Sequence, residues 1–207
     1  MSTQHEVTDA ERWNTAYADG DRGKSWYQTH AATSVELITQ VSTAADAVVD
    51  VGGGASTLVD DLLAARYSDL TVLDIAATGL DIARKRLGAS AAQVNWLVDD
   101  LLSWQPQRSY ALWHDRAVLH FLTDRDARER YQRTLLAATH PGSVVVIGVF
   151  GPNGPSQCSG LDVHRYGPAE MAELLEPAFA VTASFSRDHT SPSAATQQFQ
   201  WTTAKRR

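Results

Sequence analysis

The segment Val48-Val49-Asp50-Val51-Gly52-Gly53-Gly54-Ala55-Ser56-Thr57 constrains this chain more than any other. An apolar, β-branched run ends in an acid, a glycine turn follows, and helical periodicity begins. That order describes a strand delivering a loop to a helix N-terminus. A dinucleotide turn wants glycines spaced G-x-G-x-x-G and no negative charge beside the pyrophosphate. Gly52 and Gly54 fit, but Thr57 stands at the third position and Asp50 precedes the turn. The loop favours a nucleoside with positive charge over a diphosphate.

Around this loop, short β-branched runs alternate with helical patterns, which predicts a parallel sheet covered on both faces. The predicted strands are Ala47–Val51, Leu70–Ile75, Val94–Val98, Tyr110–His114 and Ser143–Phe150. The last is apolar throughout and belongs in the sheet centre. Helices are expected at Thr57–Arg66 with Ser56 as N-cap, Gly79–Leu87 stopped by Gly88, Asp124–Thr139, and Pro168–Leu175. Pro141-Gly142 reads as the turn into the fifth strand, and Gly151–Tyr166 as a long loop. Phe179–Arg187 and Gln197–Ala204 read as a terminal hairpin on the sheet edge, with at least one strand antiparallel. The expected fold is α/β: one doubly wound, Rossmann-like, mostly parallel seven-stranded sheet. The whole chain, 1–207, is expected to form one domain. Residues 1–45 form its helical lid (Asp9–Tyr17 and Thr33–Val41) and residues 46–207 its core.

The chain has 207 residues and a formal charge of -6, which argues against nucleic acid as the main partner. Its single cysteine excludes an internal disulfide and fits a reducing compartment. The polar start, Met1 to Arg12, lacks a signal-peptide pattern, and the longest apolar run, Val144 to Phe150, is too short to span a bilayer. A soluble, cytoplasmic protein without membrane contact is expected, as a monomer or homodimer.

Ligands of open parallel sheets bind outside the C-terminal ends of the strands. The first three strands end in acids: Asp50, Asp74 and Asp99-Asp100. Asp74, followed by Ile75, falls where an acid reaches a ribose diol, and Asp99 or Asp100 where one reaches an adenine edge. S-adenosylmethionine answers this pattern, having ribose, adenine, net positive charge and no phosphate. Acids around it lower the cost of taking that charge out of water.

Over nearly its whole length the chain resembles the class I S-adenosylmethionine-dependent methyltransferases. Asp50-Val51-Gly52-Gly53-Gly54 is similar to their glycine motif, Asp74 to their ribose-binding acid, and Asp99-Asp100-Leu101 to their adenine-contacting turn. His140-Pro141-Gly142 resembles the turn before their fifth strand. Ser56 departs from the pattern, where many members carry a further glycine. Trp13…Tyr17 with Ser25-Trp26-Tyr27 is similar to small bacterial members and to lysine methyltransferases, in which the N-terminal segment folds over the cofactor. His114-Asp115-Arg116-Ala117-Val118-Leu119-His120-Phe121-Leu122 resembles the small bacterial group in particular.

Methyl transfer is an in-line displacement that rests on alignment and exclusion of water, with a base needed only for a protonated nucleophile. His114, Asp115 and His120 are the catalytic candidates: His114 beside the adenosine or the methyl group, and His120 as a base. Asp115–Arg116 also reads as a pair in which one side chain fixes a loop. Trp26 and Tyr27 are candidates for an aromatic lid over the sulfonium, while Trp96, Trp104 and Trp113 read as core or sheet-flank residues. Cys158 lies in the long loop ahead of His164, Arg165 and Tyr166. No CxxC or HExxH spacing makes it a metal ligand, so no metal is expected. The leading function is methylation of a small-molecule acceptor. Protein lysine methylation and non-catalytic nucleoside binding are the alternatives.

Overall fold

The computed structural model describes residues 8–207, so the first seven residues of the expected domain lie outside it. Five strands run parallel: β1 (Val48–Val51), β2 (Leu70–Asp74), β3 (Val94–Val98), β4 (Tyr110–Arg116) and β5 (Thr139–Phe150). Two short strands follow, β6 (Gln157–Cys158) and β7 (Leu161–Asp162), and then β8 (Phe179–Thr190) and β9 (Thr196–Arg206). The seven-stranded sheet has the order β3-β2-β1-β4-β5-β9-β8. Only β9 runs against its neighbours on both sides. The architecture is therefore the expected mostly parallel, Rossmann-like α/β fold with an antiparallel C-terminal element.

Helices α1 (Asp9–Ala16) and α2 (Ala32–Val41) precede the sheet. Within it come α3 (Leu58–Ala64), α4 (Ala77–Leu87), α5 (Arg125–Ala138) and α6 (Pro168–Leu175). Strand alternation sends Val145, Ile147 and Val149 into one core with Trp113, Tyr131 and Leu135. Val146 and Phe150 enter the other, with Leu112, Ile38, Leu58 and Leu80. Both faces of β5 are covered, which is why its sequence is apolar without alternation.

Besides shifts of one to three residues at other element ends, three departures from the expected elements bear on the site. α4 begins two residues before Gly79. Gly79 is a close-approach position, because a side-chain carbon there would lie 2.8 Å from the Tyr17 ring. Pro141-Gly142 is not a turn before β5 but a bulge inside it: Tyr110 pairs with Thr139 and Leu112 with Val144. The bulge is pinned by Ser143, which receives the His140 N–H at 3.0 Å and donates to Tyr110 O at 2.7 Å. The expected loop 151–166 holds the β6–β7 hairpin. No helix among the described residues is long and apolar enough to cross a membrane.

Candidate active site

β1 pairs with β2 on one side and β4 on the other, so strand order reverses there and a crevice opens at the strand ends. The glycine turn lies in it. Gly52 and Gly54 have φ of +65° and +45°, a region L side chains rarely adopt. The space their side chains would fill is taken by Val118 at Gly52 and by the Tyr17 hydroxyl at Gly54. Arg86 of α4 holds the next two residues, donating from Nη1 to Ala55 O at 2.8 Å and from Nη2 to Ser56 O at 2.7 Å. Asp60 braces the same guanidinium at 2.6 Å. The Leu58 N–H donates to Ser56 Oγ at 3.1 Å, which opens α3.

Asp74 ends β2 almost wholly buried, accepting the Ala76 N–H at 2.7 Å. Burial raises its carboxyl to about 7, against the backbone N–H groups it accepts; nearby Asp50 adds to the rise. Asp50 is also buried, and its carboxylate meets His114 Nδ1 at 2.7 Å. The other imidazole nitrogen meets Ser34 of α2 at 2.9 Å. Asp99 and Asp100 cap their own turn, accepting the backbone N–H groups of Asp100 and Leu102 at 2.8 and 2.9 Å.

The segment between α1 and α2 covers the crevice, and side chains of three elements hold its backbone carbonyls. Ser25 O faces His189 Nε2 at 2.9 Å. Trp26 O accepts from Arg116 Nη1 at 3.0 Å, and Gln28 O from Thr57 Oγ1 at 3.1 Å. Under this cover Trp13 packs edge-to-face against Phe121, with ring centroids 5.0 Å apart, and against Trp26 at 6.1 Å. Asn14 of α1 accepts from the Thr78 N–H at 2.9 Å and so ties α1 to α4.

Sheet end and cover enclose a cavity of about 430 Å³, a size that suits a cofactor with a small acceptor. Asp50, Gly52, Asp74, Ile75, Asp99, Asp100 and Leu101 line it, as do Trp26, Tyr27 and His114. Gly54 lies beside this wall, beneath Tyr17. Asp115 and His120 lie behind it. Asp115 accepts the Val118 and Leu119 N–H groups at 3.0 and 3.2 Å and the Tyr131 hydroxyl at 2.8 Å. Burial raises Asp115 to about 6. It thereby fixes the turn at Ala117, a non-glycine residue with φ of +70° on the cavity wall. His120 packs against Phe121 and Phe150, and its Nδ1 accepts the Phe150 N–H at 3.3 Å. Burial and Arg116 lower its imidazole to about 3.

Cys158 lines the cavity as a buried thiol whose pKa burial raises. Trp104 and Trp113 are core residues and Trp96 is half-buried. Sequence reasoning missed Ser34 and Arg86. Neither carries a local signal: Ser34 sits in the first turn of α2, and Arg86 shares a basic last turn with Arg84 and Lys85 that reads as a solvated face.

Residues 48–142 match a family model described as a methyltransferase domain. The segment from β1 to the start of β5 is thus similar to a methyltransferase domain. It is 25% identical over 150 residues to malonyl-[acyl-carrier protein] O-methyltransferase 1 of Ilyobacter polytropus. That match takes in 70% of this chain and 54% of the relative, so the chain spans about half the length of the curated protein it matches. Among solved structures, a methyltransferase of Anabaena variabilis superposes with a TM-score of 0.75 at 15% identity, over 98% of this chain and 96% of that one. The Burkholderia thailandensis 1,6-didemethyltoxoflavin N1-methyltransferase, solved with that acceptor and S-adenosylhomocysteine, gives 0.71 at 19% identity. Its alignment covers 95% of this chain and 86% of that one. The chain has the fold these proteins share.

Proposed function

We propose that the chain, as one domain with an N-terminal lid, transfers the methyl group of S-adenosylmethionine to a small-molecule acceptor. The observation that carries this is the cavity in which acids at three strand ends face an aromatic chamber beneath the α1–α2 segment. The residues present fit the cofactor. Gly52 and Gly53 of the turn line the cavity, and the acids match a cationic, phosphate-free nucleoside. Asp74 and Ile75 would hold the ribose end, Asp99, Asp100 and Leu101 the adenine, and Asp50 and the Gly52 turn the amino-acid end. When bound, S-adenosylmethionine supplies an electrophilic methyl group on a sulfonium.

The protein's own part is alignment and exclusion of water. Trp26 and Tyr27 close the chamber and present ring faces suited to a cation. His114 lines the wall with both nitrogens engaged, which suits a positioning role. Asp115 supports the turn that carries Arg116 and Ala117, and His120 packs behind it. The Burkholderia enzyme's heterocyclic acceptor supports a small-molecule substrate here, as does a chamber walled by Trp13, Trp26 and Phe121.

Thermal shift with S-adenosylmethionine, S-adenosylhomocysteine and NAD tests the cofactor, and stabilisation by NAD alone would overturn the reading. Tritiated methyl transfer into cell extract, split into protein and small-molecule fractions, tests the acceptor. Label held only on protein would point to a protein substrate instead.

A further inference from the structure

Arg116 is a cation in the cavity wall without a counter-ion. Its guanidinium makes no ion pair among the described residues. Nη1 donates to the Trp26 carbonyl at 3.0 Å, the group stacks over Phe199 at 4.8 Å, and Nη2 is buried with no hydrogen-bond partner. Asp50 lies close enough to favour the guanidinium's charge but makes no ion pair with it and meets His114 instead. Burial raises the Cys158 thiol, and burial with Arg116 itself lowers His120 and His189. Burial lowers the guanidinium to about 10, which still leaves it charged near neutral pH. A buried donor with no partner is costly unless a ligand supplies one.

Neither His114 nor His120 is placed to take a proton from an acceptor. His114 is occupied at both nitrogens, and His120 lies outside the lining. Trp26, whose carbonyl meets Arg116, presents its ring to Trp13, which in turn meets Phe121. An aromatic wall therefore adjoins a buried positive charge that has no ion pair among the described residues.

We propose that the acceptor binds as an anion, with its ionised group against Arg116 and its ring against Trp13, Trp26 and Phe121. The class is an aromatic oxygen, sulfur or nitrogen acid that has lost its proton before transfer; this rests on the methyl-transfer reading above. The acceptor's electron pair forms the bond to the methyl carbon, and the pair of the broken carbon–sulfur bond stays on sulfur. Negative and positive charge cancel in that step and no proton moves, so no general base is required. Arg116 lowers the cost of holding the anion out of water until then.

The test is isothermal titration of the unaltered protein saturated with S-adenosylhomocysteine. The probes are 4-nitrophenolate and 4-nitrothiophenolate against neutral 4-nitroanisole. At least one anion should bind about tenfold more tightly than the neutral probe; equal binding, or no binding of either anion, would overturn the proposal. Arg116→Gln should weaken anion binding about thirtyfold while S-adenosylhomocysteine affinity stays near that of the unaltered protein. An equal loss of S-adenosylhomocysteine would assign the guanidinium to the cofactor's carboxylate and overturn the acceptor role. Should Arg116→Gln fail to fold, the anion-against-neutral comparison on the unaltered protein decides by itself. Failure of the unaltered protein to bind S-adenosylhomocysteine would instead overturn the methyl-transfer reading.

Discussion

His114 Nδ1 lies 2.7 Å from Asp50 Oδ1, joining β4 to β1 just beneath the glycine turn. A carboxylate only accepts, so Nδ1 carries the proton, and in the neutral ring Ser34 donates to Nε2. The chain runs from α2 through β4 to β1 and sets the floor of the cavity. His114→Ala leaves a buried carboxylate unpaired and should cost ~3 kcal/mol of stability. Ser34→Ala should cost about 1 kcal/mol. Urea unfolding measures both, and equal costs would show that the Asp50 contact adds nothing.

Asp74 gives the free protein a pH dependence of definite sign. Its carboxyl rises from an ordinary 3.8 to about 7 in the fold, so folding favours the protonated form. That contribution is complete below the ordinary value and is lost as pH rises through about 7. Asp74→Asn should therefore melt higher than the unaltered protein at about pH 8 without ligand, yet lose its response to S-adenosylhomocysteine. In the unaltered protein, cofactor affinity should rise with pH and level off above about 7. Flat affinity across that window would remove Asp74 from the ligand contacts.

His120 acts with the opposite sign. Its imidazole falls from 6.5 to about 3, so its contribution is present above 6.5 and is lost as pH falls toward 3. His120→Asn, which keeps an acceptor for the Phe150 N–H, should flatten that acid-side loss. Its turnover profile should overlay that of the unaltered protein near neutral pH. Disappearance of a titrating limb there would make His120 a base.

Gly54→Ala should drive the new methyl group into the Tyr17 hydroxyl and cost about 1–3 kcal/mol. Adding Tyr17→Phe should restore part of the melting temperature, because the clash is with the hydroxyl. Additive losses in the double variant would place the damage in the backbone at φ +45° alone.

Arg86→Gln should weaken S-adenosylhomocysteine by about tenfold, or ~1.4 kcal/mol. The loop carbonyls at Ala55 and Ser56 lose their clamp, with little change in melting. Calorimetry separates this from a purely structural role, in which melting would fall and affinity would hold.

How much was legible divides along physical lines. β-branched periodicity placed the five parallel strands, because burial on both faces leaves an unbroken apolar record in β5. Gly88 stopped α4 as expected, with φ of +57°. The local pattern failed where a distant partner decides. Gly79 reads as a helix boundary until Tyr17 is packed on it, and Pro141-Gly142 reads as a turn until the register of β4 makes it a bulge.

The sequence alone determined the sheet, the glycine turn and the acids at its rim, because strand ends and turn chemistry are written in neighbouring residues. Only the tertiary structure decided what those residues face. It set His114 against Asp50 and Ser34, put Asp115 and His120 behind the wall, brought Arg86 onto the loop, and left Arg116 unpaired beside the aromatic chamber. Hydrogen-bond partners and desolvation come from residues far apart in the chain, and no local pattern encodes that meeting.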